Sequence, residues 1–154
     1  MRNVFLNILL GLSILSLNIY ADSKKSEIKN ISIQDSAIEK KLVWLSSVED
    51  AFTLAQKEQK SVMVMVEDVR CKWCIKMKKG ALSDKRVEEN LQKYILLKIQ
   101  RSDNTGMESL PGLRGPIPSF HFFTSKKKPI DKVAGYYEAE DFLGYIKEIS
   151  EDAL

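Results

Sequence analysis

The chain contains two cysteines, Cys71 and Cys74, three residues apart in a sequence of 154. Thiol–disulfide exchange needs a thiolate, access to solvent and a second sulfur close enough to resolve the mixed disulfide. The pair has that spacing. As a cross-link it is poor, because closing so short a loop removes little entropy from the unfolded chain. Rival chemistries are less well served. A zinc site wants four ligands, and the chain has two Cys and one His, His121. Haem attachment requires His directly after the second Cys, and that residue is Ile75. Soft thiolates suit Cu(I), so a binding module for copper or a partner protein, without turnover, stays open beside the redox reading. Neither a protein-held metal nor a small-molecule cofactor is expected for dithiol chemistry.

The elements that must position these sulfurs are visible on both sides. Residues 61–66 read Ser-Val-Met-Val-Met-Val, a continuous apolar run suited to a strand covered on both faces. Residues 67–70 are expected to turn, and residues 71–80 to form a helix that stops at Gly80. Cys71 then sits at a helix start, where unpaired N–H groups and the helix dipole favour negative charge. Lys72 adds a cation beside it. Cys74 lies one turn further in, on the same side and less exposed. Cys71 is thus the expected attacking sulfur and Cys74 the resolving one, with a lowered Cys71 pKa.

The rest of the chain supplies a frame. Ser47 caps a helix whose Val48, Ala51, Phe52 and Ala55 recur at helical spacing. Ser83 and Asp84 open another, with Val87 and Leu91 inside. Residues 94–99, 119–123 and 130–134 read as strands, with a further one about residues 42–45. Residues 138–150 close the chain as a helix carrying Phe142, Tyr145, Ile146 and Ile149 on one side. Together these predict an α/β fold with a mixed central sheet flanked by helices. Met63, Met65 and Met77 are expected to fill the core. Lys76, Lys78 and Lys79 are expected on the outer face of the cysteine helix, and His121 as a packed histidine. Pro118 follows Ile117 and starts a strand, a place where proline is tolerated. Proline base rates alone favour a trans Ile117–Pro118 bond, whereas a cis bond would bring this backbone beside Cys71.

Residues 1–21 have the layout of a secretory signal peptide: Arg2, a mainly apolar run, and Ala21 at a cleavage point. Cleavage after Ala21 is expected rather than retention as an anchor. Residues 22–41 are read as a flexible lead or short helix, and residues 42–154 as one domain, exported to the periplasm. The formal charge of +3 is too small to argue for nucleic acid. A monomer is expected.

The order of strand, Cys-Lys-Trp-Cys, helix, then Gly115-Pro116-Ile117-Pro118-Ser119-Phe120, hairpin and helix resembles the thioredoxin superfamily. More narrowly, three stretches are similar to the C-terminal periplasmic domains of DsbD-type membrane disulfide reductases. They are residues 60–66, Ala81-Leu82-Ser83-Asp84 with Val87 and Leu91, and Lys132-Val133-Ala134-Gly135-Tyr136 with Phe142. The resemblance spans about residues 42–150. It implies a thioredoxin-like fold and reduction of protein disulfides, with a membrane electron-transfer partner to recharge the dithiol. It also implies a cis Ile117–Pro118 bond, substrate backbone pairing beside Ile117, and Trp73 on the exposed rim. The departures matter too. Met65 stands where thioredoxins carry a buried acid, Lys78 where the reductase domains carry another, and Arg70 where an aromatic is usual. Glu67, two residues after Met65 and on the same strand face, is a candidate substitute proton relay; a solvated turn acid is the alternative reading.

Overall fold

The computed structural model describes residues 42–152. The expected signal peptide (1–21), the lead segment (22–41) and the last two residues lie outside them. Five strands form one sheet: β1 (Trp44–Leu45), β2 (Val62–Glu67), β3 (Ile95–Gln100), β4 (Ser119–Phe123) and β5 (Pro129–Ala134). The helices are α1 (Val48–Glu58), α2 (Lys72–Lys79), α3 (Lys85–Leu91), α4 (Asn104–Glu108) and α5 (Ala139–Asp152), with a 3-10 turn at Ala81–Ser83.

The strand order is β1-β3-β2-β4-β5. β3 runs parallel to both β1 and β2, while β4 is antiparallel to β2 and to β5. The mixed sheet follows from the connections. A helical crossover joins β2 to β3, which permits parallel pairing; the short turn between β4 and β5 imposes a hairpin.

Strand alternation divides the core in two. Met63, Met65, Leu96, Phe120 and Phe122 face one side, where Cys74 and Met77 of α2, Val87 and Leu91 of α3, and Phe142 and Ile146 of α5 cover them. Val62, Val64, Val66, Leu97, Ile99 and Phe123 face the other, under Ala51, Phe52 and Ala55 of α1 and the segment carrying Met107, Leu110 and Leu113. All six residues of β2 are buried, as its central position demands.

Local signals set the helix ends. The Ser47 hydroxyl accepts from the Asp50 amide at 3.2 Å, and Asp84 accepts from the Arg86 amide at 2.9 Å. Two expectations are corrected here. Glu67 is the last residue of β2 rather than the first of a turn, because its backbone continues the ladder opposite Gln100. Tyr145 does not join Phe142, Ile146 and Ile149 in the core; it lies partly exposed on the rim of α5, edge-on to Tyr137.

Candidate active site

β2 delivers the chain to one end of the middle of the sheet, and a tight turn hands it to α2. The Cys71 amide donates to the Asp68 carbonyl at 3.1 Å, and the Arg70 amide donates to Asp68 Oδ1 at 2.8 Å. Cys71 is the N-cap of α2, in extended conformation. It is joined to Cys74 by a disulfide, with Cα atoms 5.2 Å apart. The Cys74 amide donates to Cys71 Sγ at 3.1 Å. This is one of the amides that a helix leaves unpaired in its first turn. After reduction the same donor would favour a thiolate at that sulfur.

The two sulfurs differ in access. Cys71 is half-buried, whereas Cys74 has no exposed surface and packs among Met63, Met65 and Met77. All three methionines are fully buried, as expected.

The antiparallel register Val66↔Ser119 brings the start of β4 to the end of β2 that carries the cysteine turn. The preceding Ile117–Pro118 peptide bond is cis. The Ile117 carbonyl oxygen lies 3.9 Å from Cys71 Sγ. The Pro118 carbonyl accepts from the Gly135 amide at 2.8 Å, which ties this backbone to the end of β5.

Trp73 is 57% exposed. Its ring rests on Tyr136, centroid to centroid 5.7 Å, and Lys76 Nζ sits 4.0 Å above the Tyr136 ring centroid. Lys76 also pairs with Glu138 at 3.6 Å. The hydrogen bond to Tyr136, with Glu138 adding to it, holds the Lys76 pKa above its ordinary value.

Glu67 is buried and paired, not solvated. Its Oε2 lies 2.6 Å from Lys78 Nζ, and its Oε1 accepts from Gln100 Nε2 at 3.0 Å. Lys78 therefore does not belong with Lys76 and Lys79 on the outer face of α2; it is drawn inward by a carboxylate that cannot reach water. A cavity of about 210 Å³ beside it is lined by Trp44, Met65, Lys78, Leu82 and Lys98 among others. Sequence reasoning missed Gln100 and Tyr136 as neighbours of the site, and it noted Lys78 as a departure from the reductase domains without pairing it with Glu67. Lys78 had one signal, its place one helical turn after Cys74.

A family model described as thioredoxin-like matches residues 43–125, more than half of the chain. The chain belongs to the thioredoxin-like family. Solved structures agree on the fold. A thioredoxin from Thermus thermophilus is 24% identical, covers 71% of this chain and 87% of its own, and superposes with a TM-score of 0.61. DsbH oxidoreductase is 14% identical over 80% of this chain and 94% of its own, with a TM-score of 0.63. The oxidised C-terminal domain of Neisseria meningitidis DsbD is 19% identical over 69% and 98%, with a TM-score of 0.56. A comparison with curated proteins gave no significant match.

Within this thioredoxin-like frame, His121 points away from the cysteines, to the α1 side of the sheet. Its Nε2 is 2.9 Å from the Ser119 hydroxyl. Burial, with Lys132 adding to it, pushes its pKa down to about 4. It is a packed histidine, neutral at ordinary pH. Among the described residues no group of three or more His, Cys, Asp or Glu is arranged to hold a metal ion.

Proposed function

We infer that this thioredoxin-like protein is an exported thiol–disulfide oxidoreductase that reduces protein disulfides. The observation that carries this reading is the Cys71–Cys74 disulfide at the start of α2, with Cys71 half-buried, Cys74 fully buried, and the Ile117 carbonyl 3.9 Å from Cys71 Sγ.

The proposed cycle begins with the reduced pair. The Cys71 thiolate attacks one sulfur of a substrate disulfide. The substrate S–S bond breaks, one substrate sulfur leaves as a thiolate, and a mixed disulfide forms. Cys74 then gives up its proton and attacks Cys71 Sγ. The second substrate thiolate leaves, and the Cys71–Cys74 disulfide remains. Two electrons have passed to the substrate, and protons from solvent complete its thiols.

Each neighbour has a place in this cycle. The Cys74 amide and the start of α2 favour the Cys71 thiolate. Glu67 lies on the strand face of Met65, which packs in one cluster with Cys74, and it is the proposed acceptor of the Cys74 proton. Lys78, 2.6 Å from that carboxylate, connects it to the adjoining cavity. Trp73, Ile117 and Pro118 form the proposed substrate-binding rim, with Ile117 offering backbone for an extended chain. A membrane electron-transfer partner is the proposed donor that restores the dithiol in an oxidising compartment. The apolar leader, residues 1–21, is the proposed export signal, and the working form is a monomer.

The test is the reduction potential of the pair in the full chain, equilibrated in glutathione or dithiothreitol buffers. A value of about −230 mV or lower supports a reductase. A value near about −120 mV would make the protein a disulfide donor. Absence of any reversible disulfide would put the non-catalytic binding module first.

A further inference from the structure

The surface around Cys71 carries a charge imbalance that the exchange chemistry alone does not require. From Asp68 to Lys79 the chain has five cations and one anion. Two of the cations are discharged inside the molecule, Lys76 by Glu138 and Lys78 by Glu67. Lys79, at the far end of α2, has no ion pair among the described residues, and of the two cations either side of Cys71, Arg70 has a single long contact and Lys72 none. The Arg70 side chain is 91% exposed, and its nearest carboxylate is Asp68, at 3.8 Å. That same Asp68 oxygen already accepts from the Arg70 amide at 2.8 Å. Lys72 is exposed and forms no ion pair among the described residues. The first turn of α2 holds no acidic residue, so nothing there offsets the positive end of the helix.

Apolar surface flanks these cations. Val69 is 70% exposed and Trp73 57%. Arg114, three residues before Ile117 in the chain, is already matched by Glu108 at 3.2 Å. Both residues that flank the reacting cysteine in sequence thus carry positive charge that the described residues leave weakly matched or unmatched.

We propose that this rim selects disulfides carried in acidic polypeptide segments, with partner carboxylates placed against Arg70 and Lys72 and apolar side chains against Val69 and Trp73. The proposal rests on the redox reading of Cys71 and Cys74 and adds the class of substrate. Carboxylates at this position are attracted before contact and paired after it, so they raise the association rate and hold the segment in register. A basic segment meets repulsion at the same place. Because the cations are exposed, the effect is screened by salt.

The experiment uses the full chain, dithiothreitol as electron donor, and two peptides sharing one disulfide. One peptide has Asp and Glu beside its cysteines, the other Lys. Rates with dithiothreitol alone are subtracted. The readout is the ratio of kcat/KM, acidic over basic. Changes in thiol reactivity cancel in it, since both peptides react with the same Cys71. The expected ratio is about tenfold at roughly 20 mM salt, falling to within about twofold of unity at roughly 0.5 M. Arg70→Glu with Lys72→Glu should invert it, and Arg70→Gln with Lys72→Gln should bring it near one. Turnover of both peptides with no preference at low salt overturns this proposal alone. So does a preference that persists unchanged in the charge-reversed variant. If neither peptide is reduced, the redox reading falls and this proposal falls with it.

Discussion

Replacing Lys78 by Met should cost more stability than replacing its partner Glu67 by Gln, although each change breaks the same ion pair. The asymmetry comes from access to water. The Glu67 side chain is 5% exposed, whereas that of Lys78 is 39% exposed. Without Glu67, the ammonium group can swing out and be hydrated. Without Lys78, the carboxylate stays where it is, with the Gln100 amide as its side-chain hydrogen-bond partner. Two unit charges about 3 Å apart attract by about 6 kcal/mol at an effective dielectric constant near 20, and desolvation of the carboxylate consumes most of that. Leaving one buried charge unpaired typically costs ~3–5 kcal/mol. The partial exposure of Lys78 reduces this, because water already shares the site. We expect about 2–3 kcal/mol for Lys78→Met and about 1 kcal/mol for Glu67→Gln. The double variant should fall near Glu67→Gln alone, since once the carboxylate is gone the lysine contributes little. Urea unfolding of the four disulfide-bonded proteins at one pH, closed as a double-mutant cycle, gives the coupling. Additive single effects, or a Lys78→Met loss no larger than that of Glu67→Gln, would refute the reasoning.

The remaining predictions concern other parts of the molecule. After reduction, one equivalent of iodoacetamide should modify Cys71 and spare the buried Cys74, as peptide mapping would show. The rate should titrate with an apparent pKa below about 8, and a value near that of a free thiol would contradict the electrostatics at the start of α2. For His121, the folded-state pKa of about 4 lies below the ordinary value of 6.5. The unfolded chain therefore holds more protons between these values. The histidine's contribution to stability is intact above about pH 6.5 and is lost as the pH falls to about 4, by at most about 3 kcal/mol. His121→Gln should flatten the stability curve in that window relative to the parent; parallel curves would disprove it. Phe142→Ala should cost about 3–5 kcal/mol by chemical denaturation, because the ring is fully buried against Phe120.

Much of the frame was legible because the sheet is buried on both faces. Val62 to Val66 and Ile95 to Leu97 are apolar runs with no room for another reading, and Ser47, Asp84 and Gly80 mark helix ends by their own chemistry. What the sequence hid was long-range. A glutamate following an apolar run looks like a turn residue. It extends β2 because Lys78 and Gln100, 11 and 33 positions away, meet it there. Nothing local encodes that meeting. The same holds for Trp73, whose shelf is Tyr136 from the far end of the hairpin. At Ile117–Pro118 the general rarity of cis bonds argued for trans. Family resemblance argued for cis, the form the structure has. The cysteines were legible in position and in relative burial, since one turn of helix separates a cap residue from a core residue.

The two outer strands of the sheet have a consequence of their own. β1 has two residues, and β5 begins at Pro129, carries Asp131 and Lys132, and pairs with β4 through a register shift at Phe122/Phe123. A short strand, a proline, charges and an irregular ladder are each ways to keep an open sheet from zippering onto another chain. A protein of the proposed activity would spend its working life touching incompletely folded polypeptides, the material most ready to add a strand to any vacant edge. Its borders give such chains no template for growth, so contact with them can end in release rather than in co-aggregation.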